Sequence, residues 1–239
     1  MDMHSGVNLR DLLDTHINTL FRCDAGGRLL TTNEADPPPA PRFYMARSAQ
    51  GNAWRIRHDL PADLAEQLDA ACRAEPAAVS LSQPARCYAT VRALLDQHAP
   101  VRDEYRGPAF VIPRDVPHIG GATLITPDNA HVLARYFKWL LPFETSTDSY
   151  PVAAVVVNGV AVSCCFCSRI PGAATEAGVF TAPDARGHGY ATAAVATWAA
   201  AAWQRGVQPM YSTSWDNTAS QRIAARLGMT QYAEDWSIA

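Results

Sequence analysis

The chain has 239 residues, 48% of them apolar, and a formal net charge of −3. That length can bury one large core or two small ones, and the slight acidity supplies no polycationic surface, which argues against general nucleic-acid binding and suits cationic small molecules better. No apolar run reaches membrane-spanning length, and the opening "MDMHSGVNLRDLLDTH" has neither a basic n-region nor an apolar h-region, so a cytoplasmic protein with no membrane partner is expected.

In chain order, Val7 to Phe21 is an amphipathic segment, and "FRCDAGGRLLTTNE" suggests a hairpin around Ala25-Gly26-Gly27. After the break "ADPPPAP", "RFYMARS" and "AWRIRHD" form a second strand pair. Two helices follow, one from Pro61 with Asp59 as its cap and one over Ala85 to His98. The next stretch is a connector with one short strand, Ala109 to Ile112. Its prolines and Gly120-Gly121 place a boundary near residue 115.

From there the pattern becomes regular. "ATLIT" is a strand, and Thr126 with Pro127 should start a helix running to about Leu140. "PVAAVVV" and "VAVSCCF" flank Asn158-Gly159, the signature of a type I′ hairpin. "EAGVFTA" is a strand, and a helix runs from Gly187 to about Arg205. "PMYSTSW" is a strand, Asp216 or Asn217 caps a helix that Gly228 stops, and "MTQYAEDWSI" closes the chain. The order β-α-β-β-β-α-β-α-β predicts an α/β (α+β) architecture, a mixed sheet with flanking helices.

Six cysteines are expected as free thiols in a reducing compartment. "SCCFCS" contains a CxxC, Cys164 to Cys167, but no second pair completes a zinc site. Buried strand cysteines are the preferred reading, and no metal is expected.

The loop "ARGHGYA" sits between a strand and an Ala-rich helix. It lacks the spacing and lysine of a Walker A loop. It also misses the third glycine of GxGxxG, and the strand "PMYSTS" ends without the carboxylate that would hold a ribose. Without side chains at Gly187 and Gly189, backbone can approach a pyrophosphate at the helix N-terminus, where the dipole favours negative charge. Arg186 adds a cation.

Arg186, Gly189 and Ala191 match Q/R-x-x-G-x-G/A, and the loop resembles that of the Gcn5-related N-acetyltransferase (GNAT) superfamily. "WDNTASQRIAARLGM" is similar to the family's NxxAxxxYxxxGF helix through Asn217, Ser220 and the Gly228-Met229 pair. The resemblance covers residues 116–239. It implies a GNAT acyl-CoA N-acyltransferase fold there, after an N-terminal α+β domain over 1–115 of unassigned role, expected to cover the acceptor side of the cleft or to be a degenerate GNAT-like half, to which its element order is loosely similar.

The resemblance further implies acetyl-CoA as co-substrate, bound by Val179, Phe180 and Thr181 along the strand, by Arg186, Gly187, His188, Gly189, Tyr190 and Ala191 in the loop, and by Asn217 and Ser220 beyond it. An N–H of the strand would serve the thioester oxygen. Glu176 is the candidate base or water relay. It stands one residue before the family's usual glutamate position, here Ala177, and so on the opposite face unless a bulge intervenes.

The family's acidic tyrosine falls on Ala224, which leaves Ser220, Tyr211, Ser212 and Ser214 as substitutes. Trp198, Trp203 and Trp236 are expected in the core or at subunit contacts, a homodimer being one expected assembly. The leading expectation is acetyl transfer to the amino group of a small molecule by direct attack in a ternary complex. The alternatives are a CoA-binding regulatory module without turnover, or a transferase drawing its acyl group from aminoacyl-tRNA.

Overall fold

The computed structural model describes residues 9–141, 151–170 and 172–239. Val7 and Asn8, which open the expected first amphipathic segment, lie outside them. The chain packs as two compact units, one formed by Met1–Phe110, Ser212–Asn217 and Gln231–Ala239, the other by Val111–Tyr211 and Thr218–Thr230.

In the first unit, α1 (Leu9–Leu20) leads into β1 (Phe21–Cys23) and β2 (Leu29–Thr32), the expected hairpin. Next come β3 (Phe43–Ser48), β4 (Gly51–Ile56), α2 (Ala62–Arg73), α3 (Tyr88–His98) and β5 (Glu104–Val111); the last strand, β11 (Thr230–Ile238), runs antiparallel to β3 in the order β4-β3-β11-β5. The core is Phe43, Met45, Leu68, Val91, Leu95 and Trp236 with their neighbours.

Buried charge fixes the returning strand. The Glu234 carboxylate is fully enclosed and receives Arg47, Arg106 and the indole N–H of Trp215. A buried carboxylate is tolerated when its oxygens are paired in this way.

Two expected helix starts shift. Asp59 does not cap α2, because its carboxylate is held by Arg57 at 2.7 Å, and the helix begins directly after Pro61. α3 begins at Tyr88 rather than Ala85, where the Glu75 carboxylate accepts the N–H groups of Arg86 and Cys87 at 3.0 and 2.8 Å. The expected short strand at Ala109 is the end of the longer β5.

The second unit contains β6 (Ala122–Leu124), β7 (Ala153–Val157), β8 (Val160–Cys167), β9 (Ala174–Thr181), α4 (Tyr190–Gln204), β10 (Gln208–Ser212) and α5 (Thr218–Arg226). The strand order is β10-β9-β8-β7-β6, with β9 and β10 parallel and the rest antiparallel. Asn158 and Gly159 both have positive φ, 50° and 76°, as a type I′ turn requires. α4 is buried along most of its length because its alanines let the backbone approach the sheet, with Trp198 as its large anchor.

The expected helix from Thr126 to Leu140 is not formed. Two 3-10 turns, Ala130–Leu133 and Lys138–Leu140, take its place. The Asn129 side chain accepts the Thr126 N–H at 2.7 Å and donates to the Leu124 carbonyl at 2.9 Å, so it satisfies the backbone in a turn that competes with a helix. Cys164 and Cys165 are fully buried in β8, and burial pushes the Cys164 thiol up to about 12. They behave as packing residues.

Candidate active site

The ladder between β9 and β10 consists of Gln208↔Ala174, Pro209↔Thr175 and Met210↔Glu176. It ends there, while β9 continues to Thr181 with its other side paired to β8 from Ala177 onward. The two parallel strands therefore part after Glu176. Past that point one edge of β9 offers its backbone N–H and C=O groups to an extended ligand, as an open sheet edge does to an added strand.

The opened edge runs into the glycine loop. After a 3-10 turn over Pro183–Ala185, Arg186 is extended, and Gly187 and Gly189 adopt φ of +83° and +78°. Such values cost any L-residue with a Cβ. α4 starts after Gly189 with no side-chain cap and no acidic residue in its first turn. The N–H groups of Tyr190 and Ala191 precede the first intrahelical acceptor, so the positive end of the helix dipole is left for an external anion.

Cations flank this terminus. Arg186 donates to the Thr181 carbonyl at 3.4 Å, and the Arg226 guanidinium stands 3.9 Å from where a Cβ on Gly189 would lie. A cavity of about 300 Å3 adjoins them, lined by Ile119, Gly120, Gly121, Tyr190 and Arg226 among others. His188 is exposed and lines the same cavity, with Nδ1 against the carbonyls of Arg186 and Ala185 at 2.9 and 3.3 Å and its ring stacked on Tyr190 at 5.3 Å. That arrangement braces the loop. It gives the imidazole no reacting partner.

Where the strands part, two of the candidate residues meet, Tyr211 and Ser220; Glu176 is the register partner of Met210, so it faces the other side of the sheet from Tyr211 and lies within electrostatic reach of it. Glu176 is buried, only 4% exposed. The Tyr211 hydroxyl is hydrogen-bonded to the Ser220 hydroxyl. Burial pushes the Tyr211 phenol up to about 12; the bond to Ser220 works against this, and the nearby Cys165 and Glu176 add to it. Tyr211 is therefore a neutral donor at neutral pH. Ala224, at the position of the family tyrosine, is buried and supplies only packing.

β9 keeps an unbroken register from Ala174 to Thr181, so no bulge turns Glu176 onto the face of Ala177. Glu176, Gly178 and Phe180 alternate onto one face. Val179 and Thr181 share the other, where the Thr181 hydroxyl meets that of Ser163 at 2.7 Å. Asn217 directly precedes α5 and is exposed. From the sequence Gly120-Gly121 reads only as a boundary signal and Arg226 is not singled out; the one available signal for it is a cation two residues before the helix-stopping Gly228.

A family model described as Acetyltransferase (GNAT) domain matches residues 116–230. Residues 116–230 are a GNAT acetyltransferase domain. Solved structures similar to the chain include a protein assigned to the GNAT family from Novosphingobium aromaticivorans, 17% identical with a TM-score of 0.45, covering 58% of this chain and 65% of that one. A GCN5-related N-acetyltransferase-like protein from Streptococcus suis is 16% identical with a TM-score of 0.47, covering 84% and 85%. An acetyltransferase of the GNAT family from Colwellia psychrerythraea is 14% identical with a TM-score of 0.46, covering 78% and 76%. No curated protein matches the chain. The GNAT domain thus contains both the parted strands and the glycine loop. Among the described residues no helix is long and apolar enough to cross a membrane.

Proposed function

We propose that the chain transfers the acetyl group of acetyl-CoA to the primary amino group of a small molecule by direct attack in a ternary complex, in the cytoplasm. The transferase domain is taken to begin near residue 115. The observation that carries the reading is the continuity of the open β9 edge with the uncapped N-terminus of α4. A thioester arm ending in a pyrophosphate needs an extended hydrogen-bonding edge at one end and an anion cradle at the other.

In this reading the backbone of Val179, Phe180 and Thr181 aligns the arm. Gly187 through Ala191 hold the pyrophosphate, with Arg186 supplying positive charge. A β9 N–H beside the strand opening receives the thioester oxygen as negative charge develops on it. The amine nitrogen forms a bond to the acetyl carbon and the carbon–sulfur bond breaks. Glu176 removes the amine proton directly or through water, and Tyr211 gives its proton to the departing sulfur. Tyr211 is replenished through Ser220. The products are the N-acetylated amine and the free thiol.

Monitoring thiol release from acetyl-CoA with a panel of primary amines tests the proposal. Amine-dependent release with formation of the acetylated amine is expected. Tight acetyl-CoA binding with no release for any amine would instead make the chain a CoA-binding module, the reading that Ala224 favours. Acylation that ignores acetyl-CoA would point to another donor.

A further inference from the structure

The face of β9 that carries Glu176 is unusually aromatic. Cross-strand pairing puts Cys164 opposite Phe180 and Phe166 opposite Gly178, so these four share that face with Glu176. The Phe166 ring lies directly on Gly178, within 2.4 Å of where a Cβ would stand. Any larger residue at 178 would displace the ring.

Trp139, from the second 3-10 turn, meets Phe166 edge to face at 4.8 Å, and Phe137 meets Phe180 in the same way at 5.6 Å. Phe137 is buried, yet Trp139 is 50% and Phe180 40% exposed. Large exposed aromatics whose ring partners, Phe166 and Phe137, belong to one apolar cluster form a surface that gains from being covered.

The charge of this region points the same way. The described carboxylates of the second unit are Asp115, Asp128, Glu176 and Asp184, and Asp184 accepts a hydrogen bond from Tyr136 at 3.2 Å. Glu176 is the carboxylate on the aromatic face of β9. One buried acid beside an aromatic wall suits one ammonium group on an apolar body. Among the described residues a polycation would find for its further charges only Asp184, already hydrogen-bonded to Tyr136, and otherwise rings.

We propose that the acceptor is a monoamine with an aromatic body, which packs on Trp139 and Phe180 and directs its amino group to the strand opening at Glu176. The inference rests on the acetyl-transfer reading above, and it makes Trp139 a specificity-determining residue. Its side chain touches the substrate body and no reacting atom.

The test compares 2-phenylethylamine with spermidine as acceptors, using thiol release from acetyl-CoA by the full chain and by Trp139→Ala and Trp139→Phe. The wild-type protein should favour 2-phenylethylamine in kcat/KM by at least about tenfold. Trp139→Ala should raise KM for that amine by about tenfold, the scale of one lost aromatic contact, with kcat and the KM for acetyl-CoA unchanged. Trp139→Phe should recover most of the loss. A preference for spermidine, or a Trp139→Ala protein with unaltered KM, would overturn the aromatic-acceptor inference and leave acetyl transfer standing. Absence of thiol release with every amine would overturn both.

Discussion

Gly189 holds φ at +78° immediately before α4, with the Arg226 guanidinium beside it. Gly189→Val would strain that backbone and crowd the guanidinium, and backbone strain of this kind costs about 1–3 kcal/mol. Acetyl-CoA affinity measured by calorimetry is expected to fall about tenfold, and the melting temperature to drop by about 2–4 °C for each kcal/mol of that strain. Tyr211 is held protonated by burial, so Tyr211→Phe should lower kcat by about 10²-fold or more, leave acetyl-CoA binding intact, and show the same deficit from pH 6 to 9. At this scale the backbone of the loop was legible, because closely spaced glycines before a helix start mark left-handed positions, which Gly187 and Gly189 adopt. The Tyr211–Ser220 bond was not legible as a bond. Those residues are nine apart on different elements, and only the fold of the chain brings their hydroxyls together.

Elements with strong local chemistry formed as expected. Asn158-Gly159 dictates its hairpin, and the Ala-rich α4 follows its uncapped glycine start. The segment after Thr126 shows where such reading fails: Thr126-Pro127 is a good helix opening, but the side chain of Asn129 offers the same backbone groups a competing turn. That failure matters for the site, since the resulting 3-10 turns bring Phe137 and Trp139 to the rings of β8 and β9. α4 also supports β9. Trp198 is fully buried among alanines. Trp198→Ala should therefore cost about 3–5 kcal/mol, seen as a lower midpoint in chemical denaturation, because alanine neighbours cannot collapse into the space.

For the whole molecule, stability should depend on pH through Asp235. The residue is enclosed, accepts a hydrogen bond from Tyr44 at 2.7 Å, and has His16 at 3.6 Å. Burial pushes its carboxyl up to about 7; the Tyr44 bond acts against this and the neighbouring Glu234 adds to it. An unfolded aspartate releases its proton near 3.9, so between about pH 4 and 7 the folded chain holds a proton that the unfolded chain has lost. The contribution is fully present below about pH 4 and is lost as pH rises through about 7, by on the order of a few kcal/mol. Denaturation at pH 5 and pH 8 should show the wild-type protein weaker at the higher value, and Asp235→Asn should reduce that difference.

The account depends most on the claim that acetyl transfer takes place where β9 leaves β10, with Glu176 handling the amine proton. The direct measurement is steady-state thiol release by wild-type protein and Glu176→Gln with a saturating primary amine, alongside acetyl-CoA affinity by calorimetry. A fall in kcat of about 10²-fold with acetyl-CoA affinity unchanged is the predicted result. Undiminished kcat in Glu176→Gln would contradict it.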